Sequence, residues 1–106
     1  MKLMTKEIEK KARKQFPMGS DMAQMVVAKF FDPCGSWSWY LMNQDPLNPD
    51  YLSGIVKGSE VEMGSFSLSE LSTVKNALGI GIERDLYFDP KPAKEIWDRL
   101  NNGQHI

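Results

Sequence analysis

The hydrophobic pattern changes period several times along the chain, and each change marks an element. Over residues 5–16, TKEIEKKARKQF, apolar positions recur four apart at Ile8, Ala12 and Phe16. That spacing predicts an amphipathic helix. Thr5 can cap it, Glu7 and Glu9 lie in its first turns, and Lys11, Arg13 and Lys14 gather near its end. This order suits the helix dipole. Pro17 stops it. The period then shortens. AQMVVAKFF (23–31) is rich in branched and aromatic residues and predicts a strand. DPCG (32–35) has the Asp, Pro and Gly placement of a type I turn. SWSWYLM (36–42) predicts a second strand, paired with the first in a hairpin. Alternation puts Trp37, Trp39 and Leu41 on one face and Ser36, Ser38, Tyr40 and Met42 on the other. Serines between tryptophans suit a sheet with one buried face. Trp37 and Trp39 are therefore expected inward, with Tyr40 partly exposed.

NQDPLNPD (43–50) reads as a loop. YLSGIVKG (51–58) and SEVEMGSF (59–66) predict another hairpin, with Glu60 and Glu62 on a wet face. The spacing then predicts a helix over 67–78. Ser67 and Glu70 form a capping box, and Phe66 and Leu71 a hydrophobic staple. Leu68, Leu71, Val74, Ala77 and Leu78 supply its apolar stripe, and Gly79 closes it. GIERDLYF predicts a strand over 82–88. Ile82, Arg84, Leu86 and Phe88 share one face, and Glu83, Asp85 and Tyr87 the other. Arg84, partly buried there, would need a carboxylate such as Glu70, or a helix C-terminus, as partner. Pro92 opens a last helix over 92–101, with Ala93, Ile96, Trp97 and Leu100 inward, and NNGQHI frays from its end. The result is one α+β domain over 1–106: a basic helix in 1–16, hairpin strands in 24–66, and the three elements just given. About five strands, antiparallel or mixed, pack with about three helices.

Composition narrows the chemistry. A chain of 106 residues suffices for one hydrophobic core. No apolar run approaches the roughly 20 residues of a membrane helix, and the charged start does not resemble a signal peptide. A soluble, cytoplasmic protein with no membrane association is expected. One cysteine, Cys34, and one histidine, His105, exclude an internal disulfide and a zinc site built from Cys and His alone. No metal site and no cofactor are expected. Net charge is −1 but unevenly spread, with seven basic and three acidic residues in 1–31 against three and nine in 32–90. A near-neutral chain lacks the phosphate-neutralising charge of a dedicated duplex-DNA binder.

Several blocks carry a resemblance. Phe31, Pro33, Trp37, Trp39 and Tyr40, then Gly64, Phe66, Ser67, Leu68, Glu70 and Leu71, then Ile82, Glu83, Arg84, Asp85, Phe88 and Pro90 fall in order along nearly the whole chain. In these blocks the chain resembles a family of small bacterial proteins of unknown function, common on plasmids, integrative elements and phages. It departs from the family pattern at Asn43, Gln44 and the two-proline loop, where an acidic residue and a shorter loop are expected, and at Ser65, where an aromatic is expected. The resemblance implies a mobile-element setting and supplies no catalytic residues.

Three functional readings follow. The first is a non-enzymatic protein-binding module of a mobile element, of the anti-CRISPR or anti-restriction type, contacting a host or element protein through Tyr40, Glu60, Glu62, Glu83, Asp85 and Tyr87. The second is a single-stranded nucleic-acid accessory protein. It would use Lys10, Lys14, Lys29, Trp37, Trp39 and Tyr40, since aromatics on a sheet can stack bases. The third is a small enzyme using Glu83 and Asp85 as paired carboxylates. Each has a structural counterpart: core packing for the aromatics, salt bridging for IERD, and a solvated face for the basic helix. Cys34 has no histidine nearby in sequence, and GIGIER lacks a dinucleotide fingerprint. The first reading is preferred, with no catalytic residue assigned.

Overall fold

The computed structural model describes residues 2–75 and 78–106. The elements in chain order are α1 (Lys6–Lys14), β1 (Met25–Val26), β2 (Ala28–Phe31), β3 (Ser38–Gln44), β4 (Tyr51–Lys57), β5 (Val61–Ser67), α2 (Leu68–Thr73), β6 (Glu83–Arg84), β7 (Lys91–Pro92) and α3 (Ala93–Asn101). Thr5 caps α1 as its sequence predicts, its hydroxyl accepting the Ile8 N–H at 3.1 Å. A Glu7–Lys11 pair braces its exposed side, and a Glu9–Arg13 pair faces β3, where Arg13 Nε donates to the buried Gln44 Oε1 at 2.9 Å. A short 3-10 turn over Phe16–Met18 follows.

Strands β2 to β5 form an antiparallel meander, and β6 adds to the free side of β2, giving the order β5-β4-β3-β2-β6. The α+β expectation holds. The predicted strand over 23–31 breaks at Val27: β1 leaves the main sheet to pair with β7, while β2 stays paired with β3. The DPCG turn forms as expected, with the Gly35 N–H donating to Asp32 O and the Cys34 N–H to Asp32 Oδ1.

Both faces of the sheet are covered, which corrects the expectation of one wet face. On one side Leu3, Met4, Ala12 and Leu71 pack against Phe30, Leu41 and Leu52, with Trp39 partly buried at the margin. On the other, Ala93, Ile96 and Leu100 of α3 pack against Val26, Tyr40, Met42 and Ile55. The inward–outward assignment of the aromatic block is therefore reversed for two residues. Tyr40 is 1% exposed because α3 lies over its face, whereas Trp37 is 47% exposed because it precedes β3 and rests on the turn after β4.

Two elements are shorter than predicted. α2 ends at Thr73 instead of continuing to 78. The Thr73 hydroxyl donates back to Glu70 O, and Val74 is extended and closes on that same carbonyl. Two β-branched residues in succession and a hydroxyl competing for the backbone favour that stop. Val74 and Leu78, placed on a buried stripe by the sequence, are exposed. Ala77 lies outside the described residues. β6 covers only Glu83–Arg84 of the strand predicted over 82–88, because Asp85 Oδ1 accepts the Tyr87 N–H and turns the chain. The segment after α3 also differs from a frayed tail: Gly103 and Gln104 close the helix on Leu100 O and Arg99 O, and Ile106 returns to the sheet. Among the described residues, no helix is long and apolar enough to cross a membrane.

Candidate functional site at the β6 edge and the Lys29 trough

β6 is pinned to the sheet by its own backbone and by Arg84. Phe31 registers with Glu83 and Phe30 with Arg84. Arg84 Nη1 donates at 2.9 Å to both Lys2 O and Leu3 O, so main-chain carbonyls meet a side chain expected to need a carboxylate or helix end. The Asp85 N–H donates to Lys29 O at 2.9 Å. Asp85 Oδ1 then accepts the Tyr87 N–H at 2.9 Å, a turn in which a carboxylate substitutes for a backbone acceptor. Phe88 turns inward against the Tyr40 ring, with centroids 6.3 Å apart. Leu86 and Tyr87 turn outward, 63% and 93% exposed. The loop is thus nailed down on both sides of two apolar side chains that stand in water.

The same Asp85 lines a hollow of about 260 Å³ with Lys29, Phe31, Trp37 and His105. A second hollow of about 490 Å³, lined by Tyr40, Lys57 and Leu100, shares Ser36, Ser38 and His105 with the first, so the two make one trough. Lys29 is the unusual group in it. Only 5% exposed, it stands across the strands from Tyr40, lies 5.7 Å from the Tyr40 ring centroid and 5.9 Å from that of Phe31, and donates from Nζ to the backbone oxygen of Ile106. The Tyr40 hydroxyl donates to the same oxygen at 3.0 Å. Burial pulls Lys29 below its ordinary value of 10.5, partly offset by the Asp85 charge. Burial pushes Tyr40 above 10.0, with the Ser38 hydrogen bond opposing and Asp85 reinforcing the rise. A shifted amine and phenol side by side are a pattern that also occurs where protons are exchanged. Here both donors are turned to Ile106, so the cluster fastens the end of the α3 layer to the sheet.

The residues singled out by sequence are divided by the fold. Glu83, Asp85 and Tyr87 share the β6 edge. Glu60 and Glu62 belong to the β4–β5 turn and to β5, at the opposite edge of the sheet, and Tyr40 is buried between. Lys10 and Lys14 are exposed on α1, over one face, while Lys29 and Tyr40 are buried on the other. Trp39 is half-buried on the α1 side, and the exposed Trp37 ring lies so close to Gly58 that a Cβ there would stand 2.5 Å from it. Those six residues do not form one continuous platform for bases. Among the described residues, no three His, Cys, Asp or Glu side chains converge as metal ligands.

Sequence reasoning missed Val74, Ile80 and Leu86 as surface residues. Their apolar character reads as core signal, and only the early stop of α2 and the Asp85 turn bring them out. Neither a curated protein nor a solved structure matches the chain. The family described as Protein of unknown function (DUF2958) matches residues 2–103, nearly the whole of this fold and all of the site but His105 and Ile106, and the chain belongs to that family.

Proposed function

We propose that the chain is a non-enzymatic protein-binding module of a mobile genetic element, docking through its β6 edge on a host defence protein. One observation carries the docking surface. Of the ten exposed large apolar side chains among the described residues, five (Val74, Leu78, Ile80, Leu86 and Tyr87) fall in the single stretch 74–87. Leu86 and Tyr87 among them are adjacent on the single turn after β6, and apolar side chains exposed together mark contact surfaces where scattered ones do not. A tyrosine and a leucine on a hydrogen-bonded turn also lose little conformational freedom on binding, as good anchors do. Glu83, Asp85 and Asp89 flank them, so the complementary partner surface is an apolar pocket rimmed by Lys or Arg. The mobile-element setting rests on the family resemblance, and the defence target on analogy with other small proteins of such elements.

The test is photo-crosslinking from position 87 in a bacterial host, followed by plasmid- or phage-protection assays. The expected result is one captured defence protein, protection of the incoming element, and loss of both in Leu86→Ser/Tyr87→Ala with the fold unchanged by circular dichroism. Glu60→Lys/Glu62→Lys, at the far edge, retains both. Capture and protection that survive the Leu86/Tyr87 substitutions would overturn the docking surface, and absence of protection would overturn the defence role.

A further inference from the structure

The α3-bearing face of the sheet has a second feature, independent of the β6 edge. Toward the far end of β4 and β5, Ser53 stands directly across from Ser65. Their small side chains leave a cleft of about 310 Å³ walled by Met42, Tyr51 and Met63 and reaching Asn43. The rest of the lining is glycine and Ser20, so no acidic or basic side chain borders it. The cleft sits at an irregularity in β3: pairing with β4 passes from Leu41↔Gly54 to Asn43↔Ser53, leaving Met42 as an extra residue. Bulges of this kind re-aim side chains and recur beside binding sites.

At this bulge two buried amides are held in an arrangement that gives neither oxygen a donor among the described residues. Asn43 Nδ2 donates to Gly19 O at 2.6 Å, and Gln24 Nε2 donates to the same oxygen at 2.7 Å and to Asp21 O at 2.8 Å. Asn43 Oδ1 and Gln24 Oε1 are buried and accept no hydrogen bond from the described residues of the protein. Turning either amide over would set an oxygen against the Gly19 carbonyl, so a flip does not cure the defect. Folded proteins rarely leave such acceptors unmet without a water, an ion or a functional reason. Asn43 is only 2% exposed, but the Gly19–Ser20 rim above it is exposed, and Gly19 has a positive φ of 56° with open space around it. Asn43 nonetheless borders the cleft beneath that rim.

We infer that this cleft is a binding site for a neutral planar ring carrying an N–H donor, of the size of a nucleobase. The lack of charged lining selects a neutral ligand, because a phosphate or carboxylate would enter unpaired. The orphaned Asn43 acceptor selects a donor. Two methionines and a tyrosine select a flat, polarisable face over a sugar, whose hydroxyls would each need a partner. The volume lies at the small end of the ligand-pocket range. Ser53 and Ser65 can donate or accept, and so can read the ring's other edge. The ring could be a free base or nucleoside, or a base splayed from a strand.

The test is calorimetric titration of the full chain with adenine, guanine, cytosine, their nucleosides and a short single-stranded oligonucleotide. At least one ring is expected to bind and to raise the melting temperature. Ser65→Phe, which fills the cleft from an exposed position, should weaken that binding roughly tenfold or more. Asn43→Leu should weaken it as well, and Ser65→Phe settles the matter if Asn43→Leu does not fold. Tighter binding of the nucleoside than of the oligonucleotide supports a free ligand. Salt-sensitive, tighter binding of the oligonucleotide supports a splayed base. No binding by any ring at millimolar concentration, undiminished binding by Ser65→Phe, or a crystal structure grown with these rings in which waters alone meet Oδ1 and Oε1 would overturn the site.

Discussion

A methyl group added at Gly54 would stand 1.9 Å from Tyr40 O, a backbone atom in the middle of the sheet that cannot give way. One added at Gly64, its cross-strand partner, would meet only Val56 Cγ2 at an ordinary 3.7 Å. Gly54→Ala should therefore destabilise the protein by about 3 kcal/mol or more, the upper end of what overpacking costs. Gly64→Ala should change stability by less than about 1 kcal/mol, since reduced freedom in the unfolded chain offsets minor strain. Urea denaturation of the two variants tests this; equal losses would show that backbone crowding at the β3 bulge is not what requires Gly54. The bulge itself could not be read from the sequence. Met42 and Asn43 look like a strand end and a loop start, and one extra residue in a ladder leaves no signature in composition. Trp37 and Tyr40 were misplaced for a related reason: alternation gives which residues share a face, but not that α3, fifty residues on, covers the face bearing Tyr40.

Helix starts were legible where helix ends were not. The Thr5 and Ser67 caps stand where their side-chain chemistry puts them, and the Ser67 hydroxyl accepts the Glu70 N–H at 3.2 Å. The sequence did not reveal a third participant at α2. Asp50, at the end of the proline-rich loop, accepts the Ser69 N–H at 2.7 Å, the Ser67 hydroxyl at 2.7 Å and the Ser69 hydroxyl at 3.0 Å. These donors, that of Ser67 first, hold its carboxyl below the ordinary 3.8. The unfolded chain thus takes up this proton at a higher pH than the native chain does. The stability Asp50 supplies is fully present above 3.8 and is lost as pH falls through the lowered native value. Asp50→Asn should lower stability at neutral pH and lose less on further acidification, so that the two proteins converge below that value. Urea midpoints measured from neutral pH into the acid range check this; parallel profiles would mean that Asp50 has the same affinity for protons folded and unfolded.

On the scale of the molecule, the α3 layer is the part the sequence described well and the part on which most else depends. The predicted stripe is inward at Ala93, Ile96 and Leu100, with Trp97 half-buried beside them. What no pattern of period 3.6 could show is how α3 is seated. Pro92 offers no side-chain cap; instead the Ala93 and Lys94 amides donate to Gln24 O and Met22 O, and β7 pairs with β1 just before the helix. The helix start, the loop carrying Gln24 and the sheet face bearing Tyr40 are one connected structure. Ile96 lies fully buried at its centre. Ile96→Ala should cost about 2–5 kcal/mol, the transfer and cavity terms of a large core truncation. Because α3 is tied to chain segments seventy residues apart, that loss should appear as a single transition at lower urea with an unchanged slope, not as early release of the helix. Val74→Ala, at an exposed position on the proposed contact surface, should fall within about 0.5 kcal/mol of the parent. Separate transitions by far-ultraviolet circular dichroism and tryptophan fluorescence in Ile96→Ala would show that α3 is an independent layer, and the Lys29–Tyr40–Ile106 fastening would then be too weak to join it to the sheet.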